Sequence, residues 1–145
     1  MGFIERIIHA LTVTHPLHPM LVHFPIALTG AAAFFILLAV WKKSKTLEQA
    51  AFANIVLATF GTVAAGITGM MDNIKNYSGA APNVMVKITL ATILLVITAW
   101  TSVARWRNPN LFESRAKPWY IAAYLVSFML AIVLAFLGGI ILYGF

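Results

Sequence analysis

Four long apolar stretches dominate the chain, and short polar segments separate them. They cover residues 20–41, 50–71, 84–104 and 119–143. The hydrocarbon core of a bilayer is about 30 Å thick, and a helix needs about 20 mainly apolar residues to cross it. The stretches are apolar throughout and lack the alternation of a transmembrane barrel strand. The pattern therefore predicts four membrane-spanning α-helices.

The segments that connect these stretches are short and polar. Residues 42–46 follow the first stretch, and Thr46 with Gln49 three positions later is typical of a helix N-terminus. Pro118 suits the start of the fourth helix. Because connections of this length place neighbouring helices antiparallel, we expect an all-α, up-down bundle of four transmembrane helices. This bundle would be a single membrane domain over residues 1–145.

The N-terminal segment, residues 1–19, begins with a different pattern. Apolar side chains recur at helical spacing, and polar side chains occupy the other side. The segment is too short to span, so we expect a short amphipathic helix lying in the membrane interface. A docking segment for a partner subunit is the alternative. The apolar positions are Phe3, Ile4, Ile7, Ile8 and Leu11, and the polar ones are Glu5, Arg6 and His9.

Lysine and arginine are unequally distributed between the two sides of the predicted bundle. Loops rich in these residues remain in the cytoplasm, which predicts that both chain termini lie on the outer, periplasmic side. All four tryptophans lie near the cation-rich side, as expected for residues that anchor helices at an interface. The cation-rich loops carry Lys42, Lys43, Lys45, Arg105, Arg107, Arg115 and Lys117, whereas the opposite side carries Arg6, Lys75 and Lys87.

Composition agrees with a membrane protein and excludes several other classes. Hydrophobic residues make up 61% of the chain and charged residues 10%. Soluble domains have roughly 45–50% and about 25%, so a soluble globular enzyme is excluded. The absence of cysteine excludes disulfides, thiolate-bound zinc, iron–sulfur clusters and covalently attached haem. The net charge of +6 is explained by the cation-rich loops, so we expect no nucleic-acid partner.

A cluster of polar residues is predicted at the outer end of the bundle. The segment from His15 to Pro25 contains three histidines and three prolines at the start of the first transmembrane helix. Because Pro25 has no backbone N–H to donate, the helix either bends there or begins near Phe24. The second and third helices add Asp72 and Lys87 at the same level. Lys87 either pairs with Asp72 or extends to the lipid headgroups.

Three kinds of site would use these histidines. A b-type haem would take His18 or His23 as one axial ligand, and Met70 or Met85 as the other. A spacing of five residues corresponds to about 140° on a helix, so a haem bound by two histidines would need another subunit or a second copy of the chain. A zinc or copper site would use His15, His18 and His23. In the structural interpretation, neutral histidines bind carbonyls that the prolines leave unpaired.

The segment around the histidines resembles a known family. Residues 18–25 read HPMLVHFP, which is similar to the His-Pro-x-x-Val-His-Phe-Pro motif of the bacterial membrane family called domain of unknown function 2231. Gly69 and Asp72 belong to the same resemblance, which covers most of the chain. It implies a small four-helix module of the bacterial cytoplasmic membrane, and some members are joined to Rieske-type iron–sulfur domains. Many members have a histidine where this chain has Lys87, so a haem held there would lack one ligand here.

The expected function depends on the outer polar cluster. We expect a small integral subunit or module of a respiratory electron-transfer assembly, in which the histidines line a b-type haem or quinol site. The alternative is a cofactor-free structural subunit that packs against larger membrane subunits through its small residues Gly61, Ala65 and Gly69. No general base, nucleophile or phosphate-binding loop is recognisable, so we do not expect an enzyme that acts on its own. The sequence leaves open whether the chain forms a homodimer.

Overall fold

The computed structural model describes residues 2–9 and 17–143, with side chains up to residue 140. A short helix near the N-terminus precedes four long ones. All four long helices are long and apolar enough to cross a membrane, which confirms the predicted helical membrane bundle. The helices are α1 (Phe3–His9), α2 (Leu17–Lys42), α3 (Lys45–Tyr77), α4 (Val84–Arg107) and α5 (Lys117–Tyr143), with a 3-10 helix at Leu111–Glu113 between α4 and α5.

Helix α1 is the short helix expected from the N-terminal pattern. Its apolar side chains are exposed, with Phe3 at 79% and Ile4 at 70%. Gly2 N donates to a Glu5 carboxylate oxygen at 2.8 Å, which satisfies one N–H group at the helix start. Leu11 belongs to the same predicted apolar face but lies outside the described residues.

Helix α2 passes through Pro25 as one continuous helix. It begins at Leu17, so the alternative start near Phe24 is wrong. Pro25 is buried, and its carbonyl accepts a hydrogen bond from the Thr29 hydroxyl at 2.6 Å. The side-chain hydroxyl thus adds a hydrogen bond within the helix just after the proline.

Helix α3 is much longer than the second apolar stretch. It begins at Lys45 rather than residue 50, and the side chain of Ser44 is its N-cap, accepting from Leu47 N at 3.4 Å. The expectation that Thr46 is the cap is therefore wrong. Thirty-three residues of helix extend for about 50 Å, so α3 is longer than the hydrocarbon core is thick. Helices α4 and α5 also extend past the predicted stretches, by three and two residues on the cation-rich side.

The most extensive contact between two helices is that of α2 with α3. A Cβ atom added at Gly61 would lie 3.2 Å from Pro25 Cδ, so glycine permits the close approach of the two helices. Ala58, Thr62 and Ala65 on the same helix are buried. Gly61 and these buried residues are therefore used for packing within the chain.

A buried ion pair joins α3, α4 and α5 at the cation-rich end of the bundle. The Arg105 guanidinium donates from Nε to Glu48 Oε1 at 2.6 Å and from Nη2 to Oε2 at 2.9 Å. Tyr120 Oη donates to the same Oε1 atom at 2.7 Å and lies 2.8 Å from Tyr124 Oη. Glu48 is only 2% exposed. Arg105 is therefore not one of the exposed loop cations, as the sequence analysis assumed, because its charge is neutralised inside the bundle.

Candidate functional site

A cavity of about 420 Å³ lies between the four long helices, at the end of the bundle opposite the Glu48–Arg105 pair. This volume is in the range of small-molecule binding sites, about 300–1,000 Å³. Small side chains on α3, α4 and α5 create the space, and larger apolar side chains form the rest of its walls. The small residues include Ala65, Gly66, Ala91, Ala131, Ala135, Gly138 and Gly139, and the polar lining residues are His18, His23, Thr62, Asp72, Asn73, Tyr77 and Lys87.

His18 is held against helix α3. A Cβ atom added at Gly69 would lie 2.7 Å from His18 Cε1, a distance that real Cβ contacts do not reach, so the imidazole occupies space that only glycine leaves open. The Thr68 hydroxyl lies 3.4 Å from His18 Nδ1. His18 is half-buried. His18 and Gly69 both belong to the family resemblance, and the structure shows that these two residues are in contact.

His23 has a different environment although it lines the same cavity. Its side chain is exposed, and its Nδ1 atom lies 2.5 Å from the Pro19 carbonyl oxygen one helical turn earlier. With the proton on Nδ1, the imidazole donates to this carbonyl. This is not the hydrogen bond that the structural interpretation expects, because the carbonyl that Pro25 leaves without an N–H partner is that of Leu21.

Asn73 positions the turn that closes one side of the cavity. Its side-chain oxygen accepts a hydrogen bond from Ala81 N at 3.0 Å, and its carbonyl accepts one from Gly79 N at 3.0 Å. Ser78 and Asn83 adopt left-handed backbone conformations in this turn. Asn73 was not predicted from the sequence. The available signal was a polar residue shortly before Gly79, since glycine is typical of turns.

Asp72 and Lys87 both line the cavity, but they do not form a direct ion pair. The Asp72 carboxylate accepts a hydrogen bond from the Asn76 amide. The Asp72 carboxylate and the Lys87 ammonium are more than 4 Å apart. The two charged side chains line the same cavity without touching, and a direct contact would require one of them to move.

We expect weak energetic coupling between Asp72 and Lys87. The coupling in a double-mutant cycle of Asp72→Asn and Lys87→Gln should be below about 0.5 kcal/mol, because partners that are not in contact add nearly independently. The free energy of unfolding of the two single variants and the double variant in detergent would measure it. A coupling above about 1 kcal/mol would mean that the two side chains pair directly.

The methionines and histidines proposed as ligands are only partly brought together. Met70 lines the cavity, whereas Met85 is 71% exposed and is not part of its lining. His15 lies outside the described residues. No group of three side chains able to hold a metal ion occurs in the part of the chain that the structure describes, so the proposed three-histidine site depends on His15.

These features define a helical multi-pass membrane protein with a cavity at one end of its bundle. A family described as a predicted membrane protein, DUF2231, matches residues 14–145, and the chain belongs to this family. Comparisons with curated proteins and with solved structures gave no significant match.

Proposed function

We propose that this protein is a small membrane module of an electron-transfer assembly and that its cavity binds the headgroup of a quinol. The observation that carries the proposal is the cavity itself, which combines apolar walls with polar groups at one end. A quinol has the matching structure, since its ring is flat and apolar and its two hydroxyls need hydrogen-bond partners. The expectation from the resemblance, that some members are joined to Rieske-type domains, favours this ligand class over other lipid-soluble molecules.

His18 is the residue that we propose to orient the quinol. Thr68 contacts Nδ1, which leaves Nε2 as the nitrogen available to a ligand hydroxyl. The Lys87 ammonium donates only, so it suits the carbonyl of the oxidised, quinone form, and the Asp72 carboxylate accepts only and suits a hydroxyl. The protein would bind and orient the headgroup, and a redox centre of a partner protein would receive the electrons.

The orientation predicted from the lysine and arginine distribution agrees with this location for the site. The cation-rich turns lie at the end of the bundle opposite the cavity. With those turns in the cytoplasm of a bacterium, the cavity would open toward the periplasmic side of the cytoplasmic membrane. Both termini would then lie on that side as well.

A b-type haem is the second candidate, since His18 and Met70 line the same cavity. In that case His18 and Met70 would hold the haem iron, and Thr68 would fix the imidazole through Nδ1. When bound, the haem would supply one-electron transfer. His23 is the weaker candidate ligand because its side chain is exposed, whereas that of His18 is half-buried against α3.

Calorimetric titration of the purified protein with a short-tailed quinol would test the proposal. We expect saturable binding that His18→Leu weakens about tenfold, since losing one hydrogen bond at a desolvated site costs about 1–3 kcal/mol. The control is His9→Leu, because His9 is exposed on α1. Absence of saturable binding in the wild type would overturn the quinol proposal.

Visible spectra of the same preparation separate the remaining alternatives. A b-type absorption band that changes on reduction would favour the haem site. If the preparation shows no b-type band and no quinol binding, this result contradicts an electron-transfer role. It then favours the cofactor-free structural subunit.

A further inference from the structure

A second cleft lies at the cation-rich end of the bundle, far from the cavity described above. It has a volume of about 360 Å³ and is lined by Lys43, Lys45, Phe112, Glu113 and Lys117. Three separate parts of the chain supply these residues: the turn between α2 and α3, the 3-10 helix, and the start of α5. The fold thus collects three ammonium groups around one cleft.

The positive charge in the cleft exceeds the negative charge. Lys45 Nζ lies 3.0 Å from the Glu113 carboxylate, and both side chains are exposed. Lys117 Nζ lies 4.4 Å from the centre of the Phe112 ring. Within the described residues, Lys43 has no carboxylate partner within 4 Å. One carboxylate for three lysines leaves two positive charges for an anion to neutralise.

The tryptophans place this cleft at the level of the lipid headgroups. Trp41 and Trp119 are 77% and 75% exposed, and each is two residues from a lysine of the cleft. Exposed tryptophan at the end of a membrane helix marks the interface between hydrocarbon and water. The lysines just beyond them therefore lie where phosphate groups of the bilayer are found.

We propose that this cleft binds the phosphate headgroup of an anionic phospholipid. Lysine is an effective phosphate ligand as a point charge, and basic pockets between membrane helices bind anionic headgroups. In this arrangement Glu113 competes with the phosphate for Lys45. The proposal does not depend on what the cavity at the other end of the bundle binds.

Lipid retention by the full-length protein tests the proposal. The protein is stripped of lipid in a neutral detergent and then given phosphatidylglycerol or phosphatidylcholine with the same acyl chains, and bound lipid is counted by native mass spectrometry. We expect at least a tenfold preference for phosphatidylglycerol. The triple variant Lys43→Gln, Lys45→Gln and Lys117→Gln should remove most of that preference. No preference in the wild type would overturn the site.

A matched triple variant distinguishes a specific site from general attraction. Lys42→Gln, Arg107→Gln and Arg115→Gln remove the same charge from the same end of the bundle, but none of these residues lines the cleft. We expect this variant to keep the preference for phosphatidylglycerol. An equal loss in both triple variants would overturn the cleft as the binding site.

Glu113→Gln should change lipid binding in the direction opposite to the lysine triple variant. A misfolded variant would not bind more lipid. Freeing Lys45 from the carboxylate should increase phosphatidylglycerol binding several-fold, and a decrease would contradict the proposal. Inorganic phosphate and glycerol phosphate are added as competitors at equal concentration. If they displace the lipid fully, the site recognises free anions rather than a membrane lipid, and the proposal is wrong.

Discussion

Replacing Glu48 by alanine should lower the free energy of unfolding by about 3–5 kcal/mol, the cost of removing one partner from a buried ion pair. Glu48 accepts three hydrogen bonds, two from Arg105 and one from Tyr120. Its removal leaves a cation without its counter-charge between three helices. Unfolding of the purified protein in mixed detergent micelles, followed by circular dichroism, would measure the change.

Two further variants separate the loss of the charge from the loss of a hydrogen bond. Tyr120→Phe removes one hydrogen bond to the carboxylate and should cost about 1–3 kcal/mol. Replacing Glu48 and Arg105 together by methionine and leucine should cost much less than Glu48→Ala, because no charge stays buried without a partner.

The exposed pair is the matched control for this experiment. Glu113→Ala removes the partner of Lys45 at the surface and should change the free energy of unfolding by about 0–1 kcal/mol. If Glu48→Ala and Glu113→Ala have equal effects, the buried pair does not stabilise the bundle.

Replacing Gly69 by alanine should displace the His18 imidazole and weaken quinol binding by about tenfold, as much as His18→Leu. The added Cβ atom would lie 2.7 Å from His18 Cε1, so the ring must move. The ring is the end of a half-buried side chain, and alanine has a higher helix propensity than glycine. The free energy of unfolding should therefore change by less than about 1 kcal/mol. The substitution should lower the affinity for quinol with little change in stability.

Gly2→Ala is the control for adding a Cβ atom, since Gly2 does not line the cavity and a Cβ atom there would contact nothing within 4 Å. We expect this variant to bind the quinol like the wild type. Titration calorimetry and thermal unfolding of both variants measure binding and stability separately. Unchanged binding in Gly69→Ala would show that the position of His18 does not matter to the ligand.

The sequence by itself determined that the chain is a bundle of four membrane helices. This was predictable because the hydrophobic length needed to cross a bilayer is a local property of about 20 residues, and short connections leave neighbouring helices antiparallel. The composition and the motif of residues 18–25 led to the family. The candidate polar residues could also be recognised in the sequence, since ionisable side chains within membrane-spanning stretches are rare.

Only the tertiary structure decided which of these residues act together. Glu48 and Arg105 are 57 positions apart, so no local pattern showed that they neutralise each other inside the bundle. His18 and His23 belong to one motif, yet contact with Gly69 on α3 holds the first against the cavity wall while the second remains exposed. Apolar patterns set the length of a helix, but the side chains that meet between helices depend on their rotation and depth, and these are settled by packing across the whole bundle.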